Sequence, residues 1–189
     1  MIFQPTSIPG AQVVLPDRKG DERGYFARVW CQDEFAAQGI DIGVAQASIS
    51  HNLRAGTLRG MHFAWPPAQE GKLVRCERGG IFDAIVDLRP QSPAYLRHFS
   101  IRLDEDNGAA LYIPPGVAHG FQTLADNSTI LYMMSEAYRP DLAAGVRYDD
   151  AAFGIRWPQA VSVIAERDRS YPDFDPIDHA KRFAGAAAR

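Results

Sequence analysis

The sequence is poor in cysteine, in long apolar runs and in charge of one sign. It has two cysteines, Cys31 and Cys76, and they do not form a CxxC pair, which argues against a zinc ribbon or a disulfide scaffold. The longest apolar runs fall far short of the roughly 20 residues that a membrane helix needs. The N-terminal segment MIFQPTSIPG lacks the basic region and apolar core of a secretory signal. We therefore expect a cytoplasmic protein without a membrane partner.

Charges of both signs are mixed along the chain. There are 20 lysine and arginine residues against 23 aspartate and glutamate residues, for a formal net charge of −3. The absence of a basic stripe argues against nucleic acid as a partner. A chain of 189 residues with 46% hydrophobic residues can bury a substantial core. We expect one domain over residues 1–189, with its core at about 2–175.

Short segments with a period of two dominate the sequence and predict strands. KLVRCERG places Lys72, Val74 and Cys76 on one face, and IFDAIVDL places Asp83 and Asp87 on a face with two isoleucines. Gly, Pro, Asn and Asp turn signals separate such segments at fairly even spacing, as in an all-β sandwich or barrel. Helix is predicted only for DEFAAQ and for a short tail at about 178–189.

The predicted strand faces that mix charge with apolar bulk indicate a site. If such a face points into a barrel, Lys72, Asp83 and Asp87 need partners or a polar ligand, because burying an unpaired charge is costly. Small barrels can hold one small ligand in their interior. These residues are therefore a place to look for a binding site.

The segment GAALYIPPGVAHG matches the second cupin motif, G-x5-P-x-G-x2-H, from Gly108 to His119. The first cupin motif is incomplete: His62 occupies the position of its first histidine, but Ala64 occupies the position of its second. A cupin metal site usually needs three nitrogen ligands and a carboxylate, so we predict no bound metal. The motif predicts an all-β, double-stranded β-helix (cupin or jelly-roll) barrel with a few short helices.

Several longer segments together resemble the dTDP-4-dehydrorhamnose 3,5-epimerase family. They are DERGYFAR, LRGMHF, EGKLVRCERGGIFDAIVDLRPQSPAYLRHFS, YIPPGVAHGFQTL, ILYMMSEAYRP, VRYDDAAFGIRWP and ERDRSYPDF. The likeness covers residues 2–175 with every motif in order. It implies a nucleotide-linked 4-keto-6-deoxyhexose as substrate, with dTDP-4-dehydro-6-deoxyglucose as the expected compound, and inversion at C3, at C5 or at both without a cofactor.

The resemblance also implies a mechanism and its residues. Removal of a proton beside the C4 ketone gives an enolate, which requires a base, a group that holds the enolate oxygen, and an acid on the other ring face. His62 matches the base and Asp168 the carboxylate that orients it. Lys72 matches the cation near the oxyanion, and Tyr132 matches the acid.

Four positions match contacts to the diphosphate or the sugar. Arg23, Arg59 and Arg167 suit the diphosphate because guanidinium groups bind such oxygens in pairs, and His119 matches a further substrate contact. The arginines and the histidine each have a simpler interpretation as well. Arg23 and Arg59 could pair with local carboxylates such as Asp21 or Glu22. His119 could instead be held by a carboxylate such as Asp83, without touching substrate.

The nucleotide end of the substrate has its own matches. Tyr138 corresponds to the residue that stacks on the base, and Phe26 could form the other side of that sandwich. Gln46 and Ser48 occupy the stretch that meets the nucleoside. The resemblance further implies a homodimer in which N-terminal strands are exchanged, so that Arg23 or Phe26 could serve the neighbouring site.

Four departures from the family pattern leave the nucleotide and the sugar open. The family commonly has glutamate at Arg28, glutamine at Ala64, lysine at Met133 and glutamate near Ala143. The sequence also leaves three alternatives open: an epimerase of C3 only or C5 only, a metal-dependent cupin enzyme, and a sugar-nucleotide binding module without catalysis. Surface-polysaccharide and antibiotic-sugar biosynthesis are both compatible pathways.

Overall fold

The computed structural model describes residues 1–187, and within them the chain is built mainly of strands. The strands are β1 (Ile2–Pro5), β2 (Gln12–Leu15), β3 (Lys19–Asp21), β4 (Gly24–Phe26), β5 (Gln46–Asn52), β6 (Thr57–Ala64), β7 (Lys72–Arg78), β8 (Gly80–Asp87), β9 (His98–Asp104), β10 (Ala110–Ile113), β11 (Val117–Thr123), β12 (Ser128–Met134), β13 (Ala143–Gly145) and β14 (Val163–Ile164). The helices are α1 (Gln32–Ala36), α2 (Glu166–Arg169) and α3 (Pro176–Ala187).

Two large sheets face each other. One has the strand order β1-β2-β10-β7-β12-β5, and the other has the order β13-β6-β11-β8-β9, with β14 added beside β6. Neighbouring strands in both sheets are antiparallel, except for the short β14–β6 pair. β3 and β4 form a separate hairpin. This architecture is the double-stranded β-helix predicted from the cupin motif.

The strand faces predicted from the alternation are the faces that are buried between the two sheets. Val74 and Cys76 of β7 and Ile81 and Ile85 of β8 belong to one buried cluster between the two sheets. The opposite face of β8 packs its apolar residues against the segments after β13 and against α3. The predicted faces of both strands are confirmed, and one end of the interior is left open as a cavity.

The charged residues on the inward face of β8 have partners, as the cost of burial requires. Asp83 accepts a hydrogen bond from His119, with 2.6 Å between Oδ1 and Nε2. Asp87 binds the guanidinium of Arg89 through both carboxylate oxygens, at 2.8 and 2.7 Å, and also accepts a hydrogen bond from Ser92. Both aspartates are therefore paired with groups of the protein itself rather than with a ligand.

Both predicted helices are present, and one further helix is found. α1 lies within DEFAAQ and its preceding glutamine, and α3 begins two residues before the predicted tail; residues 188 and 189 of that tail lie outside the described residues. α2 has four residues, too few to show a helical period in the sequence. Within residues 1–187 no helix is both long and apolar enough to cross a membrane.

Candidate active site

A cavity of about 530 Å³ opens between the two sheets. Side chains from β5, β7 and β12 of one sheet and from β6 and β11 of the other line it. Eight of the residues singled out in the sequence are among its lining residues: Ser48, Arg59, His62, Lys72, His119, Tyr132, Tyr138 and Arg167. The fold therefore brings together residues that are up to 119 positions apart, from Ser48 to Arg167.

A bulge in β6 puts two of these residues on the same side of the strand. Arg59 pairs with Phe121 and His62 with His119, so two residues of β6 stand opposite one residue of β11. Arg59 and His62 are three positions apart and would face opposite sides of a regular strand. Gly60 makes the bulge possible: its φ is +115°, and a Cβ there would lie 2.7 Å from the carbonyl oxygen of His119.

His62 is bound to a buried carboxylate at the cavity wall. Its Nε2 lies 2.8 Å from Oδ1 of Asp168, while Oδ2 of Asp168 accepts the Gly60 N–H at 3.1 Å. The His62 side chain is 35% exposed and that of Asp168 is 3% exposed. Burial alone would raise the pKa of Asp168, but the hydrogen bonds from His62 and Gly60 and the neighbouring charges outweigh it and hold that pKa below its ordinary value.

Arg167 adds a cation beside this pair. Its Nη2 lies 3.1 Å from Nε2 of His62, and its Nε lies 3.4 Å from Oδ1 of Asp168. A guanidinium nitrogen only donates, so Nε2 cannot accept from Arg167 while it donates to Asp168. The shorter contact to a charged acceptor favours the bond to Asp168. In that arrangement Nε2 carries the proton and Nδ1 of His62 keeps a free lone pair.

Tyr132 enters the cavity from the sheet opposite His62. Its ring packs edge-on against His119 with 5.7 Å between the ring centroids. Burial and the nearby Asp83 raise the pKa of Tyr132 well above its ordinary value, with Arg59 acting in the opposite direction. Tyr132 is therefore a neutral O–H donor at neutral pH.

His119 is both held by a carboxylate and part of the cavity lining, so the two interpretations of this residue are compatible. Asp83 is completely buried, and burial raises its pKa against the opposing effect of His119. Its second oxygen, Oδ2, has no hydrogen-bond partner among the described residues. Within the same part of the chain no group of three or more His, Cys, Asp or Glu side chains is placed to hold a metal ion.

Lys72 is buried at the start of β7, and its ammonium has a partner that the sequence analysis missed. Nζ of Lys72 lies 2.5 Å from Oε1 of Glu70, which also lines the cavity. Glu70 stands two positions before Lys72, in the segment just ahead of β7. That spacing was the available signal for Glu70.

Arg23, Phe26 and Gln46 do not line this cavity. Arg23 lies on the β3–β4 hairpin and pairs with Asp21, as the simpler interpretation held, with its side chain 83% exposed. Phe26 on the same hairpin is 79% exposed. Gln46 instead positions a lining residue, because its Oε1 accepts the backbone N–H of Tyr138 at 3.0 Å.

Arg59 has a neutral partner rather than Asp21 or Glu22. Its Nε donates to Oδ1 of Asn52 at 2.8 Å, which holds the guanidinium at the cavity without neutralising its charge. The positive charge of Arg59 is therefore free to meet an anionic ligand.

Two further lining residues, Glu136 and Tyr171, were not identified from the sequence. Glu136 accepts the backbone N–H of Gln69 at 2.7 Å and so holds the loop before β7. The ring of Tyr171 lies against Gly145 so closely that a Cβ on this glycine would overlap it. Gly145 pairs with His62 across β13 and β6, a relation that local sequence does not show.

The four departures from the family pattern fall into two groups. Ala64 and Ala143 both line the cavity and are direct partners across β6 and β13, so two small side chains meet on its wall. Met133 packs instead against the cluster around Phe35 on the outer side of its sheet. Arg28 forms a surface ion pair with Glu34 at 2.6 Å.

Comparison with known proteins identifies relatives along nearly the whole chain. The dTDP-4-dehydrorhamnose 3,5-epimerase family model matches residues 5–176. A dTDP-4-dehydrorhamnose 3,5-epimerase of Sinorhizobium fredii is 41% identical over 173 residues, which cover 91% of this chain and 89% of the relative. A dTDP-4-dehydrorhamnose 3-epimerase of Streptomyces niveus is 36% identical over 170 residues, which cover 89% of this chain and 82% of the relative.

The solved structures include a close match in three dimensions. NovW, a 4-keto-6-deoxy sugar epimerase from the novobiocin biosynthetic gene cluster of Streptomyces spheroides, superposes with a TM-score of 0.88 at 35% identity, covering 98% of this chain and 92% of NovW. The likeness extends over the strands that form the cavity as well as the motifs that line it. The chain belongs to the dTDP-4-dehydrorhamnose 3,5-epimerase family.

Proposed function

We propose that this protein converts dTDP-4-dehydro-6-deoxyglucose to dTDP-4-dehydrorhamnose by inverting C3 and C5 of the sugar, without a cofactor. The observation that carries this proposal is the placement of His62, which is bound to Asp168, and of Tyr132 on opposite sheets around one cavity. Inversion needs a base on one face of the sugar ring and an acid on the other, and a ring bound between the sheets would have one on each side.

In this mechanism Nδ1 of His62 removes the proton from C3 or C5. The C–H electron pair forms a C=C bond, and the C4 carbonyl electrons move onto oxygen to give an enolate. Asp168 stabilises the imidazolium that results, and Lys72 stabilises the enolate oxygen. The C=C electron pair then takes the O–H proton of Tyr132 on the opposite face of the same carbon, and the C4 ketone is restored from the enolate oxygen. His62 and Tyr132 return to their starting states by exchange with solvent, so water protons enter the product.

The charged residues at the cavity support a nucleoside diphosphate as the rest of the substrate. Arg59 and Arg167 supply two guanidinium groups for the diphosphate, and with the residues that the structure describes neither forms a strong ion pair that would have to be broken first. The Tyr138 ring is 59% exposed and is available to stack on the base, and Ser48 lines the same cavity. Gln46 acts on this end through the backbone of Tyr138.

We also propose that the active form is a homodimer located in the cytoplasm. Within residues 1–187 the β3–β4 hairpin pairs with no other strand, and it carries the exposed Tyr25 and Phe26. β5 is an edge strand beside the cavity, and its Ile49 is 70% exposed. Apolar side chains on an unpaired hairpin and on an open sheet edge favour a second copy as the partner. In such a dimer Arg23 and Phe26 would complete the neighbouring site.

Epimerisation at C3 alone is the second candidate. The similarity to the 3-epimerase of Streptomyces niveus favours it, and one base–acid pair serves one carbon unless the sugar turns within the cavity.

Incubation with dTDP-4-dehydro-6-deoxyglucose in D2O, followed by proton NMR, tests both candidates. Loss of the C3 and C5 signals together with inverted stereochemistry supports the double epimerase. Loss of the C3 signal alone supports the second candidate. Persistence of both signals contradicts both.

A further inference from the structure

Lys72 is a buried cation at the wall of the cavity, and among the described residues one carboxylate pairs with it. Its Nζ lies 2.5 Å from Oε1 of Glu70, and the two side chains are only 11% and 14% exposed. A buried ammonium without a partner is costly, and a buried carboxylate without one is costly as well. Each residue therefore depends on the other for its place at the cavity.

The backbone that carries Glu70 is held firmly against the end of β12. The N–H of Gly71 donates to Oγ of Ser135 at 2.7 Å, and the N–H of Ser135 donates to the Gly71 carbonyl at 3.0 Å. The Ser135 hydroxyl donates to the carbonyl of Gln69 at 2.9 Å. A Cβ at Gly71 would lie 3.2 Å from the Tyr112 hydroxyl. Glu70 thus projects from a rigid segment rather than from a mobile loop.

We propose that Glu70 is a positioning residue for the epimerisation and that its carboxylate holds Nζ of Lys72 where the enolate oxygen forms. The inference rests on the proposed function, in which Lys72 stabilises that oxygen. A lysine side chain is flexible and carries a compact charge, so without a fixed partner its ammonium samples several positions. Stabilisation of a developing charge is strongest when the donor is already in place.

The chemistry predicts which substitutions matter. Glu70→Gln keeps an oxygen acceptor with the same reach and should hold Lys72 in place. Glu70→Ala removes the acceptor and releases the ammonium. Because Glu70 acts through Lys72, its loss should lower kcat and leave the KM for the nucleotide sugar unchanged.

The test is a double-mutant cycle on Glu70 and Lys72. kcat, KM and the rate of deuterium entry at C3 and C5 are measured for the wild type, Glu70→Ala, Lys72→Ala and the double variant. We expect Glu70→Ala to lower kcat roughly tenfold, within the range of coupling that contacting residues show. Glu70→Gln should recover most of that loss. The double variant should be no slower than Lys72→Ala.

Glu77→Ala is a matched control. Glu77 lies on β7, the strand of Lys72, and pairs with Arg75 two positions away at 2.6 Å, but on the face turned away from the cavity. Its kcat should equal that of the wild type. If Glu70→Ala does not fold, Glu70→Asp replaces it. Its side chain is shorter by one methylene, so the carboxylate no longer reaches Nζ of Lys72, and kcat should fall in the same way.

Three results would overturn the inference: an unchanged kcat in Glu70→Ala, equal losses in Glu70→Ala and Glu77→Ala, or a loss that persists in full when Lys72 is already alanine. The last result would mean that Glu70 acts independently of Lys72. Failure of the proposed function would look different, because the wild type itself would then exchange no proton at C3 or C5.

Discussion

His62 and His119 stand directly opposite each other on β6 and β11, yet each is bound to a different buried carboxylate. Asp168 reaches His62 from α2, and Asp83 reaches His119 from the neighbouring strand β8. The two carboxylates differ in their surroundings. Donors around Asp168 hold its pKa below the ordinary value, whereas burial raises that of Asp83. The Asp168 side is thus the better suited to stabilise an imidazolium, which supports His62 as the base.

Substitution of His62 by alanine should abolish deuterium exchange at C3 and C5. Asp168→Asn keeps a side chain of the same size but removes the charge and offers a donor to Nε2, so it should slow exchange by about 10²- to 10⁴-fold. Nucleotide affinity, measured by calorimetry with dTDP, should stay close to that of the wild type in both variants. Exchange at the native rate in His62→Ala would show that another residue is the base.

Tyr132→Phe should separate proton removal from inversion. The ring remains, but no O–H can deliver a proton to the opposite face, so inverted product should fall by about 10²-fold or more. Exchange from the His62 face should continue, and deuterium should enter the sugar with retention of configuration. Tyr148→Phe, outside the cavity lining, is the control. Inverted product at the wild-type rate would remove Tyr132 from the mechanism.

Mixed dimers test whether Arg23 serves the neighbouring site. Co-expression of His62→Ala with Arg23→Ala would produce mixed dimers that contain one site with both native residues, if Arg23 acts across the interface. In a random mixture roughly a quarter of all sites would then be restored, although each variant alone is impaired. Activity equal to the average of the two single variants would instead place Arg23 outside the partner's site. A mass near 20.9 kDa in solution would exclude the dimer itself.

Gly60→Ala should disturb both the bulge and the site. The positive φ and the overlap with the His119 carbonyl together predict a loss of at least about 2 kcal/mol in the free energy of unfolding. Activity should fall further than stability, because the Gly60 N–H also binds Asp168. Gly43→Ala is the control, since a Cβ at Gly43 meets no atom within 4 Å and its φ is not positive. Equal urea midpoints for the two variants would contradict this account of the bulge.

His179 should make stability depend on pH below about 6.5, the ordinary pKa of histidine. Burial lowers the pKa of His179 in the folded protein, where its Nε2 donates to the carbonyl of Leu88 at 2.7 Å. The unfolded chain therefore binds a proton first as pH falls. The stabilisation is complete above about 6.5 and declines as pH drops toward the lowered folded value.

The measurement is urea unfolding between pH 5 and pH 8 for the wild type and His179→Gln. The variant should lose part of the pH dependence, while His51→Gln, on the exposed face of β5, should keep it. Identical pH dependence in the wild type and His179→Gln would show that His179 does not contribute.

Much of the architecture was predictable from local pattern. Period-two alternation assigned the faces of β7 and β8 correctly, because a pleated strand must separate apolar from polar side chains wherever one face is buried. The cupin spacing from Gly108 to His119 predicted the barrel. The same reasoning identified Asp83 and Lys72 as buried charges in need of partners.

The sequence by itself determined the strands, the fold class and the family, because those depend on spacing and on motifs that can be read along the chain. Only the tertiary structure decided which partners meet. Asp168 binds His62 across 106 positions, Gly145 faces His62 from β13, and the bulge at Gly60 turns Arg59 to the same side as His62. These relations depend on strand register and on the path of the chain between elements, which no local pattern encodes. They are set when the two sheets close around the cavity.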